Sequence, residues 1–226
     1  MSWLRKKREE KQGKAGKEQD QPKKSQLRDW TEALIVAAVL ALIIRTFLFQ
    51  AFKIPSGSME DTLLIGDHLL VNKFIYGTEV PFSDEPILKL RDPQRGDIIV
   101  FEYPEDRDKS YFQKKDFIKR VIGLPGDTVE VRRKNVYING ERYITEQAIY
   151  RDDNFIPGHP RDTMAQKKVP ANSYFVMGDN RDNSSDSRFW GFVDRSEIKG
   201  AAFIKYWSWD SEEFMPRWSR IGRLIE

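Results

Sequence analysis

Two serines flank a single glycine in the stretch KIPSGSM, residues 53–59. Pro55 and Gly57 disfavour a helix interior, so we expect Ser56 and Ser58 on a turn with their hydroxyls free to point outward. A serine in such a position can act as a nucleophile when a neighbouring base takes its proton. A purely structural turn is the ordinary interpretation of Pro-Ser-Gly-Ser, and this stretch alone leaves both interpretations open.

Histidine and lysine are the two candidate bases for such a serine. The chain has only two histidines, His68 in a predicted strand and His159 in a predicted loop, so a Ser-His-Asp triad remains open. A lysine can serve instead when burial removes its charge. In DFIKRVIG, residues 116–123, Lys119 alternates with apolar residues on one face of a predicted strand. A solvated Lys-Arg pair is the alternative interpretation of the same residues.

The stretch GDNRDNSSDSRFWG, residues 178–191, is dense in short polar side chains, acids and arginines. Such side chains hydrogen-bond to nearby backbone groups and form ion pairs, for example between Asp186 and Arg188. We expect this loop to be a rigid support for a neighbouring site. Cysteine is absent from the chain, which excludes disulfides, thiolate catalysis and zinc sites built on sulfur.

A long apolar run precedes the two serines. From Trp30 the chain reads WTEALIVAAVLALIIRTFLFQAF, and Arg45 is its one charged residue after Glu32. About 20 helical residues cross a hydrocarbon core about 30 Å thick, so residues 29–51 are predicted to form a transmembrane anchor. A cleavable secretory signal is the alternative, but the run contains no small-x-small cleavage site.

The segment before this run is basic and almost free of apolar residues. Residues 1–28 carry ten lysines and arginines against four acids, so we expect a disordered tail. The positive-inside rule keeps this tail in the cytosol and sends the chain after about Ala51 across the membrane. Neither stacking aromatics nor a nucleic-acid-binding motif accompanies the basic residues, so we expect no nucleic-acid partner.

Residues 52–226 are predicted to form one extracytoplasmic β domain. Apolar residues recur there with a period of two, and turn residues close each short run. Asn139-Gly140 between two strand-like arms predicts a type I′ hairpin, and residues 152–166 predict a long surface loop. The predicted strands lie at residues 96–103, 116–123, 127–133, 173–178 and 200–208.

The order of these stretches resembles a known family, the membrane-bound bacterial type I signal peptidases. The apolar run is followed by PSGSMEDTLLIGD, RGDIIVF, KRVIGLPGD and GDNRDNSSDSRFWG, and the resemblance covers nearly all of the chain from Trp30 onward. Members of this family are serine-lysine dyad proteases of the bacterial cytoplasmic (inner) membrane. The resemblance therefore implies an endopeptidase that removes N-terminal signal peptides from exported preproteins.

The resemblance also implies a role for each matching position. Ser58 matches the nucleophile and Lys119 the general base. Ser56 matches the hydroxyl that joins the Ser58 N–H in the oxyanion hole, and Ser184 matches the residue that orients the lysine. A supporting ion pair and two shallow pockets for small side chains before the cut complete the implied site; these positions are Asp186 and Arg188 for the pair, and Ile54, Pro55 and Ile118 for the pockets.

The fold implied by the resemblance is mainly β: an antiparallel signal-peptidase fold preceded by one N-terminal transmembrane helix. A smaller β subdomain is expected as an insertion at residues 128–172. Cleavage is expected after small residues of the Ala-x-Ala type, with no cofactor and no metal. The expected partners are signal peptides and the lipid bilayer, and we expect the chain to act as a monomer.

Two other functions remain as alternatives. One is a serine-histidine protease, as in the related eukaryotic secretory signal peptidases, in which His68 or His159 replaces the lysine as base. The other is a membrane-anchored β module that binds exported peptides without cutting them. Substituting each histidine tests the first alternative, and substrate turnover that depends on Ser58 tests the second.

Overall fold

The computed structural model describes residues 26–77 and 89–225. The chain divides into two compact units between Leu42 and Ile43. Helix α1 spans Gln26–Ile43, and its apolar side chains from Trp30 onward are exposed. Within the described residues, Arg28–Leu48 is the one segment whose length and composition suit a membrane span. Of the tail predicted to be disordered, residues 1–28, the last three belong to this helix, so the prediction is wrong for them, and residues 1–25 lie outside the described residues.

The ends of the helical segment differ from the predicted anchor at residues 29–51. The helix begins earlier, at Gln26, and a π-helical turn, Ile44–Leu48, follows it. Residues 49–51 belong to a strand, because Phe49 contacts the rings of Phe74 and Phe203 at centroid distances of 5.9 and 5.6 Å. The last apolar residues of the run therefore contribute to the β unit instead of extending the helix.

Short antiparallel strands dominate the second unit and confirm the predicted mainly β fold. In chain order they are β1 (Phe49–Lys53), β2 (Asp67–Asn72), β3 (Ile98–Glu102), β4 (Asp116–Gly123), β5 (Thr128–Arg132), β6 (Asn135–Ile138), β7 (Glu141–Tyr143), β8 (Met164–Lys168), β9 (Ser173–Met177), β10 (Val193–Asp194), β11 (Ile198–Asp210), β12 (Met215–Pro216) and β13 (Arg223–Leu224). A one-turn helix, α2 (Ser187–Trp190), follows β9.

The larger sheet has the strand order β1-β2-β11-β3-β4-β9-β10, with β12 and β13 also paired to β11. Ile99 of β3 lies opposite Lys119 of β4 in this sheet. The β4–β9 pairing begins at Arg120, so the first half of β4 pairs with β3 alone among the described strands. That half-strand, Asp116–Lys119, has a backbone edge without a strand partner.

A smaller sheet has the order β7-β6-β5-β8, and all four strands lie between residues 128 and 168. Asn139 and Gly140 join β6 to β7 with φ angles of 53° and 89°, the two positive values that a type I′ turn requires. The predicted surface loop at residues 152–166 ends earlier than expected, because residues 164–166 form the start of β8. Met164, the first residue of β8, packs inward with the apolar core of this sheet.

Three apolar clusters hold the second unit together. One lies under the smaller sheet and includes Ile122 and Phe175 from the larger sheet, so the two sheets share a core. A second cluster surrounds Phe101 and Val121. The third contains Ile54, Met59, Leu63, Leu69, Val71, Ile98, Val100 and Ala202, and it lies directly beneath the turn that carries Ser58.

Candidate active site

Ser58 lies on a short 3-10 turn, Gly57–Met59, as the helix-breaking residues predict. The preceding residue, Ser56, is extended and exposed, and its side chain makes no bond to the N–H groups of the turn. Met59 is fully buried and anchors the turn in the apolar cluster, where its carbonyl oxygen accepts a hydrogen bond from Leu63 N–H at 2.7 Å. The turn is therefore fixed from below, and Ser58 remains partly accessible.

Lys119 brings its amine to this serine from the middle of β4. Its Nζ lies 2.8 Å from Ser58 Oγ and 3.0 Å from the carbonyl oxygen of Ile118. The lysine is only 4% exposed, and its Nζ lies 5.4 Å from the ring centroid of Phe117. The structure thus places this lysine in an apolar environment, and the interpretation as a solvated Lys-Arg pair is wrong.

Burial changes the proton affinity of this amine. Removal from water lowers the pKa of Lys119 from 10.5 to about 8, although the negative charges of Asp186 and Asp179 act in the opposite direction. With this pKa, about a tenth of the lysine is uncharged at about pH 7, against less than about one part in a thousand for a lysine with the ordinary pKa of 10.5. An uncharged lysine within hydrogen-bonding distance of a serine hydroxyl can accept its proton.

The loop at residues 178–191 holds the serine turn through backbone contacts. Asn180 N–H donates to Ser58 O, and Asn180 Nδ2 donates to Gly57 O, both at 3.2 Å. A Cβ atom at Gly178 would lie 2.3 Å from both Ser58 O and Ser184 Oγ. Glycine at position 178 is therefore required for the loop to approach the turn this closely.

A buried ion pair that the sequence analysis missed joins the same loop to the lysine strand. Asp179 accepts from Arg120 Nε and Nη2, each at 2.8 Å, and both side chains are almost fully buried. Arg120 Nη1 also donates to the carbonyl oxygen of Gly96 at 2.8 Å. A signal for this pair was present: Arg120 alternates with Ile118 and Ile122 on a strand face where an exposed arginine is not expected.

Asp186 and Arg188 form the ion pair expected between them. Arg188 Nε and Nη2 donate to the two carboxylate oxygens at 2.9 Å, and both residues are buried. Burial acts to raise the pKa of Asp186, but the charge and hydrogen bonds of Arg188 outweigh it and hold the pKa below its usual value. Asp186 also accepts from Gly178 N–H at 3.1 Å. The pair therefore fixes the residue that approaches Ser58.

Ser184 lies beside the dyad but does not make the contact with the lysine that the resemblance implies. Its Oγ is buried and forms no hydrogen bond of good geometry within the described part of the chain, but the hydroxyl lies near enough to the Asp186 carboxylate to help lower its pKa. It lies next to Gly178, on the side that faces the Ser58 carbonyl. The hydroxyl therefore lies close to both the Ser58 turn and the Asp186 carboxylate.

The three predicted pocket residues differ in exposure. Ile54 is buried, and Ile118 packs against the same apolar cluster from β4. Pro55 is exposed. Ile54, which directly follows β1, and Ile118, on β4, therefore lie in the same apolar cluster next to the serine turn. Pro55 lies at the surface.

The two histidines have other partners. His68 Nδ1 lies 3.1 Å from the carbonyl oxygen of Gly66, and its ring contacts Tyr206. His159 packs against the ring of Phe189. Among the described residues, Ser58 Oγ has its hydrogen bond with Lys119 and none with either histidine. The geometry therefore favours lysine as the base.

Comparison with known proteins agrees with this geometry. Residues 27–207 match the family described as signal peptidase, peptidase S26. The chain is 38% identical to a signal peptidase I of Pseudomonas fluorescens, over 88% of this chain and 79% of that protein. It is 41% identical to a probable signal peptidase I-2 of Synechocystis sp., over 84% and 78%, and 35% identical to a signal peptidase I P of Bacillus subtilis subsp. natto, over 85% and 96%.

A crystal structure of a signal peptidase I from Enterococcus faecalis is also similar, at 34% identity and a TM-score of 0.38, covering 49% of this chain and 97% of that one. The chain belongs to the signal peptidase family, peptidase S26. It is a peptidase, and so a hydrolase. The resemblance stated from the sequence motifs is thereby confirmed.

Proposed function

We propose that this chain is a membrane-anchored serine endopeptidase that removes N-terminal signal peptides from exported preproteins, with Ser58 as nucleophile and Lys119 as general base. One observation carries the proposal: Lys119 Nζ lies 2.8 Å from Ser58 Oγ in a site whose burial lowers the pKa of the lysine to about 8. A purely structural turn has no need for a desolvated amine at this distance.

In the proposed reaction, Ser58 Oγ attacks the carbonyl carbon of the scissile peptide while Lys119 takes the hydroxyl proton. The C–N bond then breaks, and the Lys119 ammonium gives its proton to the leaving amine of the mature protein. A water molecule attacks the acyl-enzyme ester in the second half-reaction, with the same lysine as base. Its proton returns to Ser58 Oγ, which regenerates the free enzyme.

Two hydroxyls support this chemistry in the proposal. The Ser56 hydroxyl, which is not used in capping the turn, joins the Ser58 N–H as an oxyanion donor, a contribution of about 3 to 4 kcal/mol for one good donor. The Ser184 hydroxyl, which lies beside the dyad, accepts from the Lys119 ammonium once it forms. Asp186 and Arg188 hold the loop that carries Ser184.

The substrate is proposed to bind as an added strand. Strand β1 is an edge strand, and the first half of β4 pairs with β3 alone among the described strands. An extended peptide between these edges gains main-chain hydrogen bonds of the kind used in β-strand addition. Its small side chains before the cut are then proposed to lie near Ile54, Pro55 and Ile118.

The anchor and its orientation belong to the same proposal. Helix α1 and the following turn supply the one described segment suited to a membrane span. The basic residues before it orient the N-terminus toward the cytosol, so the β unit lies on the extracytoplasmic side of the bacterial cytoplasmic (inner) membrane. The chain acts as a monomer there, since all proposed catalytic residues come from one copy.

Cleavage of a purified preprotein with an Ala-x-Ala site tests this function. The full chain in detergent micelles is expected to release the mature protein, whose new N-terminus is identified by sequencing. Replacing the alanine before the cut with phenylalanine is expected to abolish release, and so is Ser58→Ala. A folded wild-type chain that leaves the preprotein intact, or a Ser58→Ala variant that still cuts it, contradicts the proposal.

A further inference from the structure

Thr62 lies in the loop that follows the serine turn, and both its side-chain hydroxyl and its backbone carbonyl form hydrogen bonds. Its Oγ1 donates to Asp179 Oδ2 at 2.7 Å. Its carbonyl oxygen accepts from Arg220 Nη2 at 2.9 Å and from Lys205 Nζ at 3.3 Å. None of the catalytic steps proposed above uses these contacts.

The hydroxyl of Thr62 reaches the strand that carries the base. Its acceptor, Asp179, is fully buried and is bound through both carboxylate oxygens by Arg120. Arg120 is the chain neighbour of Lys119 on β4. A fully buried carboxylate whose two oxygens are both hydrogen-bonded has little freedom to move. Asp179 therefore holds the Thr62 hydroxyl in a fixed position relative to the strand that carries Lys119.

The backbone of Thr62 reaches the nucleophile. The next residue, Leu63, donates its N–H to Met59 O at 2.7 Å and is fully buried, so the loop closes directly under the turn that carries Ser58. Asn180, the residue after the carboxylate bound by Thr62, donates its N–H to Ser58 O at 3.2 Å. Thr62 thus lies between the two segments that determine where the serine hydroxyl points.

The carbonyl of Thr62 is held by the C-terminal part of the chain. Arg220 also donates to both carboxylate oxygens of Asp67, at 3.2 and 2.6 Å. Lys205 is a buried residue of β11, and burial together with the charge of Arg220 lowers its pKa. Two cationic side chains from the C-terminal part of the chain therefore hold the backbone of Thr62, while Asp179 holds its hydroxyl.

We infer that Thr62 is a positioning residue of the peptidase: its hydroxyl holds the nucleophile loop in register with the strand that carries Lys119. Without the hydroxyl, Asp179 keeps Arg120 but loses its link to the loop. The distance of 2.8 Å between Ser58 Oγ and Lys119 Nζ is then less well maintained. The inference rests on the proposed function, because it takes Ser58 and Lys119 as the reacting pair.

Steady-state cleavage by the full chain in detergent micelles tests the inference. Thr62→Val keeps the shape of the side chain and removes the hydroxyl; kcat is expected to fall about tenfold with KM unchanged within about twofold, the effect of losing a hydrogen bond to a charged group at a positioning residue. Thr62→Ser keeps the hydroxyl and is expected to retain kcat within about twofold.

Thr128→Val is the matched control. This half-buried threonine of the smaller sheet also donates its hydroxyl hydrogen to a side chain, Asn139 Oδ1, but it takes part in none of the contacts described for the site. Its kcat is expected to be unchanged. A wild-type kcat in Thr62→Val, or equal losses in Thr62→Val and Thr62→Ser, overturns the inference while Ser58→Ala remains inactive. An active Ser58→Ala overturns the proposed function instead.

Arg220→Gln provides a second test that leaves the Thr62 hydroxyl in place, and thermal unfolding identifies which variants are folded. Because this change weakens the hydrogen bond to the Thr62 carbonyl oxygen, kcat is expected to fall about threefold at constant KM. An unchanged kcat in folded Arg220→Gln overturns the inference, including in the case that Thr62→Val does not fold.

Discussion

Replacing Lys119 with methionine separates the catalytic effect of this lysine from its effect on stability. Methionine is similar to lysine in length and shape but carries no charge and accepts no proton. Peptide cleavage is therefore expected to be lost. The folded state, in contrast, is expected to become more stable at neutral pH, because a lysine that is only 4% exposed no longer has to be desolvated.

The size of this effect follows from the pKa of Lys119, which burial lowers from 10.5 to about 8. This difference corresponds to about 3 kcal/mol of destabilisation, fully present below about pH 8, where the folded and unfolded chains both carry the proton. Above that pH the unfolded chain binds more protons than the folded one, so the destabilisation decreases and disappears beyond about pH 10.5.

The hydrogen bond from Lys119 Nζ to Ser58 Oγ offsets part of this gain. Its loss costs about 1 kcal/mol, which leaves Lys119→Met about 2 kcal/mol more stable than the wild type at about pH 7. The advantage is expected to shrink by about 2 kcal/mol between about pH 7 and about pH 9.5, as the wild type loses its proton from the folded state.

Urea unfolding of the full chain in detergent micelles, followed by tryptophan fluorescence at several pH values, measures this difference. Lys115→Met is the matched control, since Lys115 is an exposed lysine directly before β4. The control is expected to change the free energy of unfolding by less than about 0.5 kcal/mol at every pH. A Lys119→Met variant that is less stable than the wild type at about pH 7, or whose advantage does not vary with pH, would refute the reasoning.

Two further substitutions test the support of the site. Gly178→Ala places a methyl group 2.3 Å from Ser58 O, so kcat should fall at least about tenfold and the free energy of unfolding by about 1 to 3 kcal/mol; Gly126→Ala has open space around it and should leave kcat unchanged, although its φ of 89° makes alanine strained and lowers the free energy of unfolding. Asp179→Asn removes the negative charge that Arg120 contacts in the buried ion pair and should cost about 3 to 5 kcal/mol in urea unfolding, whereas Asp92→Asn, in an exposed ion pair, should cost less than about 1 kcal/mol. Equal effects of either pair of variants would contradict the corresponding assignment.

The sheet architecture could be predicted from the sequence wherever a local rule applies. Strands such as β4 and β9 appear as short apolar runs closed by turn residues. Asn139-Gly140 forms the expected hairpin because both residues tolerate positive φ. The end of the apolar helix could not be predicted, because an apolar residue such as Phe49 suits a helix or a strand, and its contacts with Phe74 and Phe203 place it in a strand.

The candidate site divides in a similar way. The pairing of Ser58 with Lys119 was expected from the ordered motifs, and the structure brings the two side chains together. The buried pair of Arg120 and Asp179 was missed, because its members are 59 positions apart and their pairing depends on how β4 meets the loop after β9. The hydroxyl of Thr62 gives no local signal at all, since a threonine in a loop is ordinary.

The dependence of kcat/KM on pH is the most direct test of the central claim that neutral Lys119 activates Ser58. Because the lysine must lose its proton to act as a base, activity is expected to rise with pH through an apparent pKa of about 8, with the same profile in His68→Ala and no activity in Lys119→Met. A rise near the ordinary histidine pKa of about 6.5 that disappears in His68→Ala, or cleavage that survives Lys119→Met, would contradict the claim.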